Sequence, residues 1–458
     1  MNTAVPVKKG EKYTIDIAGL GHSGEGVGRV EDFTVFVPLA LPGERIRARI
    51  TEVKKNYARG QLEEVIEPAP HRTKPRCSIF ERCGGCQLQH LDYPGQLAAK
   101  RQAVVDAVTR IGKLPEIPVH PVIGTEDSWF YRNKMQFPVG EAGGRVAVGC
   151  FAQGTHDIID TDRCFIQHDL NNAIAGEVRA LLTELGIRAY NERDGQGVIR
   201  HVLGRVGTAT GEVMVILVTA TAGLPQEERI VARLRQRIKG LVSIVHNVNL
   251  KRTNIILGER TRTLWGRDTI TDRLGEFVFR ISPHSFFQVN TAQARVLYDK
   301  AVEYAGLSGK ETVIDAYCGT GTITLFLARS AARVYGIEVV AAAVEDARQN
   351  ARANGVGNVE FVVGDAVQVM PQLYRQGIRP HAVVVDPPRA GCEPQVLETF
   401  VRMQPERIVY VSCNPASLAR DLALLAESGY QPREIQPVDM FPHTHHVECV
   451  VRLQRKHT

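Results

Sequence analysis

The cysteine in the stretch YVSCNPASLARDL, residues 410–422, is the first candidate for chemistry in this chain. An apolar run leads into Ser412, Cys413, Asn414 and Pro415, and a helical pattern follows, which is typical of a strand ending in a tight turn before a helix. Ligands bind to open α/β sheets at such strand ends. Cysteine is also a common small buried hydrophobe. Position alone therefore favours a packing role for Cys413, and other residues must supply the evidence for a chemical one.

A second group of thiols lies in CSIFERCGGCQLQH, where Cys77, Cys83 and Cys86 follow a C-x5-C-x2-C spacing. The two glycines inside this motif allow the backbone to fold round a bound centre. Three thiolates need a fourth ligand, and the nearest candidates are Cys150 and Cys164. Zinc sites and iron–sulfur clusters both use four cysteines. The spacing predicts a metal centre and leaves the metal open.

Polar residues end four successive apolar strands in the C-terminal part of the chain. The first strand runs into a Gly-rich turn at Gly319 and Gly321, where a ligand can approach a helix N-terminus. The next three end in Glu338, Asp365 and Asp386. A carboxylate about 20 residues after such a turn can hold ribose hydroxyls. Each acid alone could be a helix cap or a turn residue, but together they predict a nucleoside-bearing cosubstrate.

Three patterns predict the elements that position these residues. Residues 1–66 carry five short alternating runs between Gly, Pro and Asp turns, which predicts a small closed barrel of the OB type. Residues 67–285 mix β runs with helices and predict an α+β middle domain. Over residues 286–458 apolar strands alternate with helices, which predicts a parallel sheet covered on both faces.

One run of the predicted barrel carries a row of arginines. Arg45, Arg47 and Arg49 alternate with other residues, so they share one face of a strand. Such a face can contact RNA, or it can be a solvated edge strand whose charges prevent aggregation. Both interpretations stay open.

The composition is that of an ordinary globular protein of several domains, with 458 residues, 44% hydrophobic and 23% charged. A net charge of +6 is compatible with nucleic acid without requiring it. No apolar run reaches the roughly 18 residues of a membrane span, and the N-terminus lacks the apolar core of a signal peptide. We therefore expect a cytoplasmic protein whose nine cysteines serve metal binding or catalysis.

Four motifs together, DAYCGTGT, DPPRAG, VSCNP and FPHTHHVE, resemble the S-adenosylmethionine-dependent RNA uracil-5-methyltransferase family of the iron–sulfur type. The resemblance runs over nearly the whole chain and is strongest for the Gram-positive 23S ribosomal RNA (uracil-5-)-methyltransferases. It implies a TRAM-like OB barrel, an iron–sulfur segment in a central RNA-binding domain, and a Rossmann-like methyltransferase domain. It implies RNA as partner. We expect no membrane association, and the sequence gives no evidence of an obligate protein partner. The resemblance also implies that the helix near 94–112 packs on the methyltransferase domain.

The resemblance assigns roles residue by residue. It implies a structural [4Fe-4S] cluster, with Cys164 rather than Cys150 as the fourth ligand, on Cys77, Cys83, Cys86 and Cys164. It implies S-adenosyl-L-methionine as cosubstrate, held by a set of polar side chains near the strand ends: Gln288, Tyr317, Glu338 and Asp386, with Thr322 and Asp365 in support.

The uracil reaction explains why such a protein needs a cysteine. Carbon 5 of uracil is a poor nucleophile, and adding a thiolate to carbon 6 makes carbon 5 enolate-like. Cys413 is then the nucleophile, and we expect its site to stabilise the thiolate. A base must afterwards remove the proton from carbon 5. By residue type His445 and His446 come first, whereas the family pattern points to Glu448.

Other interpretations remain at this point. The target base must leave its stack to reach the site, and Phe286 or Phe287 is a candidate to stack on it. Transfer RNA is the alternative substrate. A radical enzyme is a second class, but it usually needs a three-cysteine C-x3-C-x2-C loop. A non-catalytic RNA-binding or ribosome-assembly protein is a third, and the intact SCNP motif and Glu448 argue against it.

Overall fold

A computed structural model describes residues 5–456. The first four and last two residues, which belong to the predicted segments 1–66 and 286–458, lie outside the described residues. The N-terminal part holds five strands: β1 (Lys12–Leu20), β2 (Gly26–Val30), β3 (Phe33–Val37), β4 (Arg45–Val53) and β5 (Tyr57–Glu67). They close into a barrel in the order β1-β2-β3-β5-β4 around a small apolar core, which confirms the predicted OB-type barrel.

The arginine row lies on the outer face of β4. Arg45, Arg47 and Arg49 are exposed and the residues between them are buried. Arg47 pairs with Glu64 at 2.8 Å and Arg49 with Glu63 at 2.7 Å, so neighbouring carboxylates offset much of the positive charge. β4 pairs with β1 on one side and β5 on the other, so the edge-strand interpretation is wrong. The RNA-contact interpretation stays a prediction, and the ion pairs weaken it.

The helix α1 (Tyr93–Arg110) leaves the N-terminal part and packs on the C-terminal domain. Val104 and Val108 are buried in an apolar cluster formed mainly by C-terminal residues. Lys100 is also fully buried, and its Nζ donates a hydrogen bond to Asp439 Oδ1 at 2.6 Å. Because breaking a buried ion pair leaves an uncompensated charge, this contact ties α1 to the C-terminal domain. The packing implied by the family resemblance is confirmed.

The middle domain is built on a seven-stranded sheet with helices on one face. Its elements are β6 (Lys134–Ala142), β7 (Arg145–Phe151), β8 (Ile158–Asp160), α2 (Asp169–Leu185), β9 (Ile199–Val206), β10 (Val213–Thr219), α3 (Glu227–Arg237), β11 (Leu241–Val248) and β12 (Arg260–Gly266). The strand order is β12-β11-β10-β9-β6-β7-β8, and apolar residues of α2 and α3 fill the core against the sheet. This is the predicted α+β domain.

The C-terminal part combines a hairpin with a second seven-stranded sheet. Its elements are β13 (Ile270–Leu274), β14 (Phe277–Ile281), α4 (Thr291–Ala305), β15 (Thr312–Ala316), α5 (Thr322–Ala328), β16 (Arg333–Glu338), α6 (Ala341–Ala353), β17 (Val359–Val363), α7 (Ala366–Arg375), β18 (Ala382–Val385), α8 (Pro394–Met403), β19 (Arg407–Ser412), α9 (Pro415–Glu427), β20 (Tyr430–Val438) and β21 (Glu448–Arg455). The order is β17-β16-β15-β18-β19-β21-β20. The hairpin lies inside the predicted middle segment 67–285, but its buried residues belong to the apolar cluster of α4 and α5.

The first five strands of this sheet are parallel, and β21 runs antiparallel to β19 and β20. Apolar clusters cover both faces, one with α4, α5 and the hairpin β13–β14, the other with α1, α8 and α9. The chain moves outward from β15 to β17 and then returns to β18, so the sheet has a switch point beside β15. Ligands bind at such a point, outside the C-terminal strand ends. Within residues 5–456, no helix combines the length and apolarity needed to cross a membrane.

Candidate active site

Most of the polar residues chosen from the sequence lie at one edge of the parallel sheet. Tyr317 follows β15, Glu338 ends β16, Asp386 follows β18 and Cys413 follows β19. Because these strands are parallel neighbours, their C-terminal ends open onto one crevice. The site therefore begins with four side chains brought together by strand order.

Two glycines shape the turn between β15 and α5. Gly319 and Gly321 have φ values of 54° and 81°, a left-handed backbone that other residues adopt at a cost. A Cβ atom at Gly319 would meet no atom within 4 Å, so the space beside the turn is open. The Glu338 carboxylate fixes the turn by accepting hydrogen bonds from Gly319 N at 3.2 Å and Val340 N at 2.9 Å. The backbone is thus held in place and accessible.

Tyr317 adopts an unusual backbone in the same turn. Its φ of 74° is in the left-handed region although it is not glycine. Its amide donates to Ile337 O at 2.9 Å, which holds that conformation. Burial raises the pKa of the phenol, and the charges of Cys392 and Asp365 raise it further. Strained backbone of this kind concentrates at ligand sites.

The supporting residues have different surroundings. Gln288 is buried just before α4. Thr322 begins α5, and its hydroxyl lies 3.3 Å from the hydroxyl of Tyr298. Asp365 is exposed and caps α7 by accepting a hydrogen bond from Val367 N at 2.9 Å. The helix-cap interpretation therefore describes the contact that Asp365 makes in this structure.

Asp315, which the sequence analysis did not select, is a further polar group at this site. It is completely buried on β15, and Thr324 Oγ1 donates to its Oδ2 at 2.6 Å. Its Oδ1 has no hydrogen-bond partner within residues 5–456. Burial raises its pKa to about 7, and the charges of Asp386 and Glu338 also raise it. The sequence pattern that could have identified Asp315 is an acidic residue inside an apolar strand directly before the Gly-rich turn.

Cys413 and Glu448 meet through the antiparallel pairing of β19 and β21. Ser412 of β19 pairs with Cys449 of β21. Because the two strands are antiparallel, Cys413, which follows Ser412, lies opposite Glu448, which precedes Cys449. Cys413 is half-buried, and Glu448 is 5% exposed. The nucleophile and the base assigned from the family resemblance are therefore neighbours across two strands.

The electrostatics of this pair differ from the expectation. Burial raises the pKa of the Cys413 thiol to about 11, and the charges of Glu448 and Asp386 add to this while Arg389 opposes it. The expectation that the folded site stabilises the thiolate is therefore wrong for the protein without substrate. Burial also raises the pKa of Glu448, and the charge of Asp386 raises it further. Several acidic groups share a poorly solvated pocket, so each is harder to ionise.

His445 and His446 border the site as poor proton acceptors. Burial lowers the pKa of His445 to about 4 and that of His446 to about 3. His446 Nε2 lies 3.3 Å from Arg389 Nη2, whose positive charge also lowers the imidazole pKa. A base must retain the proton that it removes, so these values favour Glu448, whose pKa is raised. Burial thus reverses the ranking of candidate bases that residue type alone predicts.

The cysteines of the predicted metal centre converge beside the middle sheet. Cys83 forms a β-bridge with Ala152, which follows β7, and Cys164 follows β8. Burial raises the pKa of Cys164 to about 11, and the charges of Cys83 and Cys77 raise it further. Within residues 5–456, no three Cys, His, Asp or Glu side chains are close enough to hold a single metal ion. The thiols are nevertheless close enough for their charges to act on one another.

Cys150 belongs to the same group of thiols. It lies on β7, and a hydrogen bond from its thiol lowers the pKa of Cys83. Its own pKa is raised by this bond, by burial and by the charges of Cys83, Cys164 and Cys86. The fold therefore brings five cysteines together, and their placement leaves both Cys150 and Cys164 as candidates for the fourth ligand.

Comparisons with known proteins agree with this architecture. The profile of the tRNA (Uracil-5-)-methyltransferase family matches residues 227–456, and that of the TRAM domain matches residues 6–62. A relative from Halalkalibacterium halodurans, named an uncharacterized RNA methyltransferase, is 49% identical over 451 residues, 98% of both chains. One from Clostridium acetobutylicum with the same description is 48% identical over 457 residues, 99% of both chains.

A solved structure shares the whole architecture. The crystal structure of Pyrococcus abyssi tRNA (uracil-54, C5)-methyltransferase in complex with S-adenosyl-L-homocysteine matches with a TM-score of 0.77 and 29% identity. The match covers 96% of this chain and 100% of that one. A TRAM barrel followed by a sheet with these strand ends defines an RNA methyltransferase. The chain belongs to the tRNA (uracil-5-)-methyltransferase family and is an RNA (uracil-5-)-methyltransferase.

Proposed function

We propose that this protein methylates carbon 5 of a uridine in RNA through a covalent bond between Cys413 and carbon 6. The observation that carries the proposal is the opposition of Cys413 and Glu448 across β19 and β21, beside the crevice. Residues 1–66 and 67–285 serve to bind the RNA, and residues 286–458 carry out the reaction.

Cys413 and Glu448 act at opposite ends of the reaction. The Cys413 sulfur bonds to carbon 6, and the electron pair of the 5,6 double bond moves towards carbon 5 and oxygen 4. S-adenosyl-L-methionine supplies the electrophilic methyl group. Glu448 then takes the proton from carbon 5, the double bond re-forms and the sulfur leaves carbon 6. Because the pKa of Cys413 is raised before substrate binds, the thiol carries its proton in the free protein, and this proton passes to oxygen 4, where negative charge develops, as the sulfur bonds to carbon 6.

The crevice at the Gly-rich turn fits a nucleoside-bearing cosubstrate. The open space beside Gly319 lies at the C-terminal strand ends, where a ligand would contact the sheet. Glu338 is placed to accept hydrogen bonds from a ribose. The residues that we assign to S-adenosyl-L-methionine are Gln288, Tyr317, Thr322, Glu338, Asp365 and Asp386.

The flipped uracil needs a surface on which to stack, and the two candidate phenylalanines differ. Phe287 is packed in the core, with its ring centroid 5.8 Å from that of Phe279. Phe286 is 67% exposed. We assign the stacking role to Phe286, because an exposed ring is available to a base.

We assign a [4Fe-4S] cluster to Cys77, Cys83, Cys86 and Cys164. Each of the four thiolates of such a cluster binds one iron, so the cluster requires four grouped cysteines. The charges of Cys77, Cys83 and Cys164 all act on Cys86, and this proximity supports the assignment. The cluster would connect the loop that carries Cys83 to the middle sheet. The uracil reaction requires no electron transfer, so the role of the cluster is structural.

Replacing Cys164 by Ser should remove iron, whereas replacing Cys150 by Ser should not. Both variants lose one thiol of the same group, so they are matched. Protein purified without oxygen should hold about four iron and four sulfide per chain in the wild type and in Cys150→Ser. Metal analysis and visible absorption measure this. Stoichiometric zinc in protein made with ample iron, or iron loss from Cys150→Ser alone, would contradict the assignment.

The target RNA is assigned from the family resemblance as 23S ribosomal RNA. Transfer RNA is the second candidate, because the Pyrococcus abyssi enzyme with the same architecture acts on it. Deleting the gene should remove 5-methyluridine from one or more positions of 23S ribosomal RNA and leave transfer RNA unchanged. Mass-spectrometric mapping of both RNAs measures this, and a wild-type copy supplied in trans should restore the modification. Loss of 5-methyluridine from transfer RNA alone would identify transfer RNA as the substrate instead of 23S ribosomal RNA.

A further inference from the structure

A cluster of arginines and aromatic rings lies beside the cysteines and has no role in the reaction described above. We call it the Arg76 platform, and it consists of Arg76, Trp129, Phe130, Arg163 and Phe165. The guanidinium carbon of Arg76 lies 4.7 Å from the ring centroid of Phe165 and 5.3 Å from those of Trp129 and Phe130. Arg163 lies over Phe130 at 4.8 Å. Both arginines are exposed and the rings are partly buried, so the cluster reaches the surface.

The two arginines of the platform differ in their charge partners. Arg163 pairs with Asp169 at 2.9 Å. No carboxylate within residues 5–456 lies within 4.0 Å of Arg76. The Arg76 guanidinium is therefore a positively charged, exposed group whose central carbon lies within 5.3 Å of three ring centroids. Such a group can bind a phosphate and stack on a base at the same time.

Phe130 is held in a strained conformation. Its φ of 52° lies in the left-handed region, which a bulky residue adopts at a cost. The conformation is fixed because Phe130 N donates to Phe165 O at 2.8 Å and Arg132 N donates to Ile166 O at 2.8 Å. Glycine would adopt this backbone without strain. A ring kept at such a position and left partly exposed is suited to a contact with a ligand.

The platform adjoins the catalytic site. The Trp129 ring stacks on His443 with 3.6 Å between centroids and 20° between planes. His443 and His446 are three residues apart, at most roughly 11 Å along the chain. His446 in turn lies 3.3 Å from Arg389, which acts on Cys413. One segment of RNA can therefore touch the platform while its target uridine is in the pocket.

We propose that the Arg76 platform stacks on an unpaired base of the RNA substrate near the flipped uridine, with the guanidinium of Arg76 on a phosphate. This inference rests on the proposed function, since it requires an RNA substrate. Unpaired bases stack on aromatic rings and on arginine planes, and every base offers such a face. The platform therefore selects an unpaired nucleotide rather than a particular base.

Phe130→Gly and Arg76→Lys test the proposal without removing charge or disturbing the backbone. Glycine keeps the left-handed backbone and lacks the ring, and lysine keeps the charge and lacks the planar face. Each change should raise the Kd for the RNA that the wild type methylates roughly tenfold, the loss expected for one stacked base. The kcat at saturating RNA should stay within about twofold of wild type. Fluorescence anisotropy measures the affinity, and 2-aminopurine at unpaired positions should lose its quenching in both variants.

Two matched variants control for the substitutions themselves. Gln404→Gly replaces another left-handed residue, at the end of α8, and Arg402→Lys replaces an exposed arginine in the last turn of the same helix. Both should bind RNA as the wild type does. Iron content is measured for every variant, because Arg76 adjoins Cys77.

The outcomes separate this inference from the proposed function. Unchanged RNA affinity in Phe130→Gly and Arg76→Lys would overturn the inference, because it would show that the Arg76 platform does not contribute to RNA binding. An equal loss of affinity for fully paired RNA would also overturn it, since stacking requires an unpaired base. A wild-type protein that methylates no RNA would overturn the proposed function, before any variant is measured.

Discussion

Cys413→Ala is expected to abolish methylation and to form no covalent protein–RNA species. The variant has no atom that can bond to carbon 6 of the uracil, so carbon 5 never becomes enolate-like. Methyl transfer should fall below detection in a tritiated-methyl assay, a loss of more than about 10⁴-fold. Binding of S-adenosyl-L-homocysteine, measured by calorimetry, should be unchanged, because the sulfur is not among the groups assigned to the cosubstrate.

Cys318→Ala is the matched control for this variant. Cys318 lies in the Gly-rich turn beside the crevice, but it is only 5% exposed. Burial raises its pKa far above the ordinary range, so it is a poor nucleophile. Cys318→Ala should therefore retain the covalent intermediate. An adduct that survives in Cys413→Ala would show that another thiol attacks, and Cys318 would be the first suspect.

The strand ends explain why much of this site could be predicted from the sequence. In a parallel sheet every C-terminal strand end lies at the same edge, so Glu338, Asp386 and Cys413 could be grouped without coordinates. Period-two alternation likewise placed Arg45 and Arg47 on one face. Both inferences depend only on local geometry, which the sequence specifies directly.

The remaining features depend on contacts between distant segments. The register of β19 with β21 brings Glu448 to Cys413, and no local pattern contains it. Burial by several elements lowers the pKa of His446 and raises that of Cys413, so residue type misleads about which group accepts a proton. The ion pair between Arg47 and Glu64 joins residues on two strands. Such effects follow from tertiary packing, which a single sequence does not display.

Cys150 illustrates a limit of another kind. Its position after a β run was equally consistent with packing, and the resemblance selected Cys164. The fold places Cys150 beside Cys83, where its thiol donates a hydrogen bond that lowers the pKa of Cys83. Spatial proximity alone thus does not choose a ligand among five thiols, and the iron content of two serine variants does.

Glu448→Gln should separate the end of the reaction from its beginning. Glutamine keeps the size and shape of the side chain and cannot accept the carbon 5 proton. The Cys413 nucleophile remains, and its pKa should fall from about 11, because the Glu448 charge is among the groups that raise it. Formation of the carbon 6 bond should therefore be at least as easy as in the wild type.

The expected product of Glu448→Gln is a methylated protein–RNA adduct that survives denaturing gel electrophoresis. Turnover should fall roughly 10²- to 10⁴-fold, the usual contribution of a general base, while label from the methyl donor stays with the protein band. Glu427→Gln, at the exposed end of α9, makes the same chemical change and should turn over normally. Full turnover by Glu448→Gln would transfer the base role to His445, His446 or water. An adduct without the methyl group would place the action of Glu448 before methyl transfer. That result would contradict the order of steps proposed for Cys413 and Glu448, because the carbon 5 proton has to be removed only after the methyl group has arrived.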